Sequence, residues 1–337
     1  MSKRRPRAFP DRPFTVGELA ELGMPSWHLR DPLLSSPTRG VRSSVPLEGV
    51  LERARAVQLV LPADAAFSHV TAAQLWGLPL PRCAEAQRTL DVLRPAAAAA
   101  SPRRRGCHGH RGDRAVEELH GVRVVSLADT WCDLGAVTAR GLGLEDLVVV
   151  GDHVVDRLDR GLGPADGEEP EWLRAVVRSA EEAETGARPR FGEPALRAAL
   201  EARVRPRGKR VLVDALALVR SGARSPMETR ARLVVTGAGL PEPELNAVVE
   251  ARDGGFLLLG DLVWQRQRVV AEYQGEAAHA GIRHRSRDAA RIRAAQAEGW
   301  SVEEIFAEDM FQRPRRVALL RRLAARLGVD PETLDIR

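Results

Sequence analysis

The sequence predicts an α/β chain whose C-terminal part runs αβββαβ behind a small winged-helix-like domain and a mixed α/β middle region, and three observations carry that prediction. After Ser225 one helical stretch is followed by three consecutive β-branched and apolar runs, at 245–250, 256–264 and 269–273. Between 65 and 160, short strand-like runs alternate with capped helical stretches. Before that, Gly and Pro punctuate short helical segments. The resulting segments are 1–64, 65–160, 161–224 as a helical linker, and 225–328.

Taken in order, residues 14–42 read as two short helices and an extended segment. Thr15 and Glu18 form a capping box, and Gly23, Pro25 and Ser26 punctuate before Trp27. Residues 47–60 and 67–76 are helical, the second with Ser68 placed to cap it and Gly77 to stop it. Strands follow at 89–93, 116–119 and 122–125, the last two joined by His120-Gly121, and Ser126 opens another capped helix. The stretch 161–171 is rich in Gly, Pro and acid and reads as a surface loop, with helices at 171–184, 194–202 and 211–219. Beyond Ser225 the pattern is a helix (226–236), the three strands, a helix (285–298), a strand (301–306) and a last helix (315–327). Trp27, Trp76 and Trp131 fit helix faces and are expected in cores.

Composition narrows the function classes. At about 150 residues per domain, 337 residues make about two domains, and 44% hydrophobic residues suffice for ordinary cores. No apolar stretch approaches the 18 to 20 residues of a membrane helix, so no membrane partner is expected. Cys83, Cys107 and Cys132 are widely spaced and odd in number, which suits a reduced cytoplasmic setting better than a disulfide framework. The 51 basic residues exceed the 46 acidic ones by only five, and all but Lys3 and Lys209 are arginines. Their clustering says more than their number. Residues 1–12, 103–114 and 283–293 each carry five basic side chains against one aspartate, an arrangement that suits phosphate backbones as well as solvated faces. Cys107-His-Gly-His110 offers too few and too crowded ligands for zinc and reads as a basic loop or strand.

The chemistry is concentrated in residues 260–274. With the polar turn at 265–268, Trp264 pairs with Val269 and Asp261 faces Glu272 across the hairpin, Cβ atoms about 5 Å apart. Two opposed carboxylates in apolar strands ask for a cation, and Mg²⁺ (or Mn²⁺), which takes one or two carboxylates plus waters, answers that need. Gln274 lies two residues on, along the same face.

The Asp-x10-Glu-x-Gln spacing inside αβββαβ resembles the PD-(D/E)XK nuclease superfamily, and in particular its very-short-patch-repair-like branch, over about residues 225–328. Ser225 to Arg232, Gly275 to His279, Arg287 to Arg291 and Gly299-Trp-Ser-Val302 add local matches. The resemblance implies a DNA endonuclease with a restriction-endonuclease-like domain. Its metal ligands would be Asp261, Glu272 and Glu228, with Gln274 and His279 assisting catalysis and Arg283, Arg285, Arg287 and Arg291 on DNA phosphates. Gln274 departs from the motif, which has Lys, or in this branch often Asp, at that position. Residues 12–160 resemble AbiEi-type antitoxins, through 14–42, Ser68-His-Val-Thr-Ala-Ala-Gln-Leu-Trp-Gly-Leu-Pro79 and 121–134. That implies a DNA-binding winged helix and a partner that is a cognate toxin or a repair or defence protein.

Blander readings stand beside these. Glu228 is explained by capping alone, since Ser225-Pro-Met-Glu228 is a capping box with Pro at the first helical position. His279 reads equally as an ordinary loop histidine, and Arg287 with Arg291 as a solvated helix face. A non-catalytic DNA-binding regulator with a degenerate nuclease fold is the alternative that Gln274 permits.

Overall fold

The computed structural model describes residues 9–160, 192–275 and 282–336, without the side chains of 139–140 and 282–289. The expected helix at 171–184, the loop at 161–171 and His279 lie outside the described residues. The chain is mixed α/β and clusters into two compact units. The first takes the described residues up to Leu147 together with Pro194–Asp214; the second takes Val148–Arg160, residues 192–193 and 215–336.

In the first unit, β1 (Phe14–Thr15) and β2 (Val41–Arg42) pair antiparallel beside α1 (Val16–Glu21). Thr15 Oγ1 accepts from the Glu18 N–H at 3.1 Å, the cap read from the sequence. The expected second helix is a single 3-10 turn at Ser26–Arg30. Trp27, expected in a core, is 66% exposed and stacks on His28 with ring centroids 3.6 Å apart. A five-residue 3-10 turn between Pro25 and Asp31 presents no continuous helical face for it to bury.

Next come α2 (Val50–Gln58), β3 (Ala66–Phe67), α3 (His69–Leu75), α4 (Arg82–Glu85), β4 (Leu90–Arg94), β5 (Cys107–Arg111), β6 (Val116–Leu119), β7 (Val122–Val125) and α5 (Leu127–Leu134). The sheet order is β5-β4-β3-β7-β6, with β4–β5 and β3–β7 parallel and the other pairs antiparallel. Ala54, Val57, Phe67, Leu90, Val92 and Val122 form its core with α2. Trp76 and Trp131 are buried, each indole N–H donating to a backbone carbonyl, of Val125 and Leu147 respectively. Ser68 occupies the cap position of α3 without a capping hydrogen bond. Its hydroxyl meets His69 Nδ1 at 3.0 Å, because His69 adopts a left-handed φ of 49°.

Three further helices are α6 (Leu144–Asp159), α7 (Gly192–Glu201) and α8 (Lys209–Leu218). In the second unit α9 (Pro226–Gly237) precedes β8 (Glu244–Glu250), β9 (Phe256–Trp264) and β10 (Val269–Gln274), then α10 (Ile282–Ala297), β11 (Ser301–Phe306), α11 (Ala307–Phe311) and α12 (Arg313–Leu327). The sheet order β11-β10-β9-β8 has β10–β11 parallel and the other two pairs antiparallel. Strand alternation divides the core. Leu262, Trp264, Val269, Ala271 and Ile305 pack with Ala231 and Val235 of α9 and Leu319, Leu320 and Leu323 of α12. Val249, Val263 and Val270 pack with Ala295 of α10 and Trp300. Gly260 is required there, since a Cβ would lie 2.7 Å from side-chain methyls of Val263 and Val270.

A buried ion pair ties the second half of α6 to α9. Asp152 accepts from Arg232 Nη2 and Thr229 Oγ1, both at 2.9 Å, and from the Arg220 N–H at 2.7 Å, with both charged side chains 1% exposed.

Candidate acidic site in the second unit

The hairpin fixes the site. Val269↔Trp264, Val270↔Val263 and Ala271↔Leu262 are paired, and the β9–β10 register ends there, one step short of Asp261 and Glu272, while Glu272 pairs with Glu304 of β11. Gln274 follows two residues on. Beyond Leu262 the Tyr273 N–H donates to Asp261 Oδ2 at 2.8 Å, a side-chain acceptor where the ladder would use a carbonyl.

Glu228 reaches the same place from the first turn of α9. Ser225 Oγ accepts its N–H at 3.2 Å, so the cap is made. The carboxylate is 7% exposed, and its Oε2 accepts from the Arg224 N–H at 2.9 Å and from Asn246 Nδ2 at 2.6 Å. Capping and the acidic cluster are therefore the same geometry. Burial, and then the charge of Glu228, push the Asp261 carboxyl up to about 7, against the opposing pull of the Tyr273 N–H and Arg224. Arg224 stands among Glu228, Asp156 and Asp261; burial and the charge of Arg160 lower its pKa, and those carboxylates raise it.

Asn246 carries no strand signal in the sequence. It sits opposite Asp261, between the pairs Leu245↔Leu262 and Ala247↔Gly260, with a φ of 46°. Asn tolerates that left-handed conformation better than other non-glycine residues. Its Nδ2 also donates to the Gly222 carbonyl at 2.9 Å, so one side chain ties β8 to the loop before α9 and to Glu228.

No family model and no solved structure matches the chain. It is similar to two curated proteins of Mycobacterium tuberculosis, "Uncharacterized protein MT2308" of strain CDC 1551 / Oshkosh and "Uncharacterized protein Rv2248" of strain H37Rv, with 36% identity to each over 115 residues. The matched stretch is 33% of this chain and 42% of either relative, so the chain spans less than half the length of the curated relatives it matches.

The remaining predicted residues divide. Gln274 Nε2 donates to Glu304 Oε1 on the neighbouring strand at 3.2 Å, away from Asp261. Arg291 is exposed on α10; the side chains of Arg283, Arg285 and Arg287 on that helix, like all of His279, are outside the described ones. Among the described residues no three His, Cys, Asp or Glu side chains converge to hold a metal ion. The half-buried Asp261 carboxylate beside the buried Glu228 nonetheless suits a hard cation that keeps several waters, as Mg²⁺ does with one or two carboxylates. No described helix is long and apolar enough to cross a membrane.

Proposed function

We propose that the second unit is a Mg²⁺-dependent DNA endonuclease, Mn²⁺ serving as well, with a restriction-endonuclease-like arrangement of α9, β8–β11 and α10. The observation that carries this reading is the half-buried Asp261 carboxyl, pushed up to about 7, beside the buried carboxylate of Glu228, at the point where β9 and β10 stop pairing. Two carboxylates in that relation are stabilised by a bound cation, and few structural roles call for them.

In this reading Asp261 and Glu228 hold the metal, with Glu272 of β10 as the further ligand that the motif resemblance implies. Bound there, it would polarise a phosphoryl oxygen and lower the pKa of its water. Tyr273 N–H, Arg224 N–H and Asn246 Nδ2 orient the two carboxylates before substrate arrives. The Arg224 guanidinium balances the cluster's negative charge. The basic face of α10, with Arg291 and its neighbours Arg283, Arg285 and Arg287, contacts DNA phosphates, so affinity falls steeply with salt. The first unit, winged-helix-like at its start and similar to AbiEi-type antitoxins, would position the chain on duplex DNA in the cytoplasm, with a toxin or a repair or defence protein as partner.

A second reading rests on Gln274, whose amide is engaged with Glu304: a DNA-binding regulator with a degenerate nuclease fold. Purified protein incubated with plasmid and linear DNA, in Mg²⁺, Mn²⁺ or EDTA, separates the two. Metal-dependent nicking or cutting supports the endonuclease; salt-sensitive DNA binding without cleavage, in wild type and Gln274→Lys alike, supports the regulator.

A further inference from the structure

The first unit holds a cavity of about 480 Å³ with a composition of its own. Its walls include the apolar side chains of Leu33, Val45, Leu47 and Leu90, and two arginines, Arg53 of α2 and Arg88 ahead of β4, contribute to the lining. No carboxylate lines it among the described residues. Arg53 Nη1 donates to the Glu48 carbonyl at 2.9 Å, while its Nε, shielded from water, has no hydrogen-bond partner among the described residues. Burial lowers the Arg53 pKa first and the charge of Arg88 lowers it next, with Glu52 opposing. The basic run 103–105 ends at Gly106, which also lines the cavity. That run is tied to the 38–39 loop through Arg104 Nη1 to the Arg39 carbonyl at 3.0 Å and Thr38 Oγ1 to the Arg105 carbonyl at 3.2 Å.

Two like charges facing one cavity raise its energy when it is empty and lower it when an anion enters. The volume lies within the roughly 300 to 1,000 Å³ of small-molecule sites, where apolar walls bury a ligand's body and a few polar groups fix its orientation. Guanidinium forks match the geometry of a phosphate. We propose that this cavity binds an organic phosphate of mononucleotide size, its phosphate between Arg53 and Arg88 and its body against Leu33, Val45, Leu47 and Leu90. The site is independent of the acidic cluster in the second unit and does not rest on the nuclease reading.

The test uses the full chain and titration calorimetry, with thermal melting alongside. The probes are the four 5′-mononucleotides, the corresponding nucleosides, pyrophosphate and a short DNA duplex. The expected result is saturable binding of at least one mononucleotide, no binding of its nucleoside, and a loss of about tenfold or more in affinity in Arg88→Gln and Arg53→Gln, the cost of one charge-assisted contact. Without ligand, Arg88→Gln is expected to melt no lower than wild type, because a repulsion has been removed. Arg88 is exposed, so this variant keeps the test valid even where Arg53→Gln disturbs the start of α2. Equal binding of nucleoside and nucleotide, binding unaffected by both substitutions, failure of every phosphate probe, or binding confined to the duplex would each overturn the proposal.

Discussion

Asn246 Nδ2 lies 2.6 Å from Glu228 Oε2, donated from a strand position directly opposite Asp261. One amide thus links the capped start of α9 to the edge strand β8. The local cost is a left-handed backbone inside β8, the kind of strain that persists where surrounding structure over-determines it.

Asn246→Gly keeps that backbone and removes the donor. It is expected to cost about 1 to 3 kcal/mol of stability by leaving a buried carboxylate with one donor fewer, and to lower metal-dependent cleavage more than DNA affinity. Asn246→Ala adds the strain of a β-carbon at positive φ and should be worse. Urea unfolding midpoints of the two variants, read with their cleavage rates, check both statements.

The acidic pair sets a pH dependence. Asp261 has a folded pKa of about 7 against 3.8 for the ordinary carboxyl, so its contribution to stability is fully present below about pH 3.8 and is lost as pH rises through about 7. In EDTA at pH 8, Asp261→Asn is therefore expected to stabilise the second unit by up to about 4 kcal/mol and to flatten its stability between pH 4 and 7. Mg²⁺ should raise the melting temperature of wild type and leave that of the variant nearly unchanged.

In the first unit the sign reverses. Burial holds His69 down at about 4, with Asp133 and Asp91 pulling its pKa up and His110 and Arg114 pushing it down; the His69 and His110 rings stack at 3.8 Å. Its stabilising contribution is present above the ordinary value of 6.5 and is lost as pH falls toward 4. His69→Asn, which tolerates the left-handed φ, should remove up to about 3 kcal/mol of acid sensitivity between those limits. His153, also held at about 4 by burial and then by Arg157 and Arg160, leaves a residual dependence in the second unit. Unfolding free energies from pH 7 to 4 test this.

Breaking the buried pair of α6 and α9 should be severe. Arg232→Met leaves Asp152 buried with its ionic partner removed and is expected to cost about 3 to 5 kcal/mol, whereas Asp152→Asn with Arg232→Met together should cost less than the sum of the two. A double-mutant cycle on unfolding free energies measures the difference.

How far the sequence reveals this structure varies by element. The hairpin register is legible because a polar turn between two apolar runs leaves one pairing, Trp264 with Val269. The cap at Ser225 is legible because capping is local. Asn246 is not: its role depends on β8 lying beside α9, a contact between residues 18 apart with no periodic signature. Strand β3 is two residues long and takes its place from its sheet neighbours, so it is hidden under the helix expected from residue 67. The 3-10 turn that leaves Trp27 exposed differs from a helix by a hydrogen-bond pattern that composition does not encode.

The central claim is that Asp261 and its neighbouring carboxylates hold a catalytic cation, and the most direct measurement is DNA cleavage in Mg²⁺ and Mn²⁺ by wild type and by Asp261→Asn. The substitution removes one charge and keeps the shape and the acceptor for the Tyr273 N–H. The expected result is metal-dependent cleavage by wild type and a loss of about a thousandfold or more in Asp261→Asn, with folding and DNA affinity retained, since metal and electrostatic contributions amount to several kcal/mol of transition-state stabilisation. Undiminished cleavage by Asp261→Asn would contradict the site.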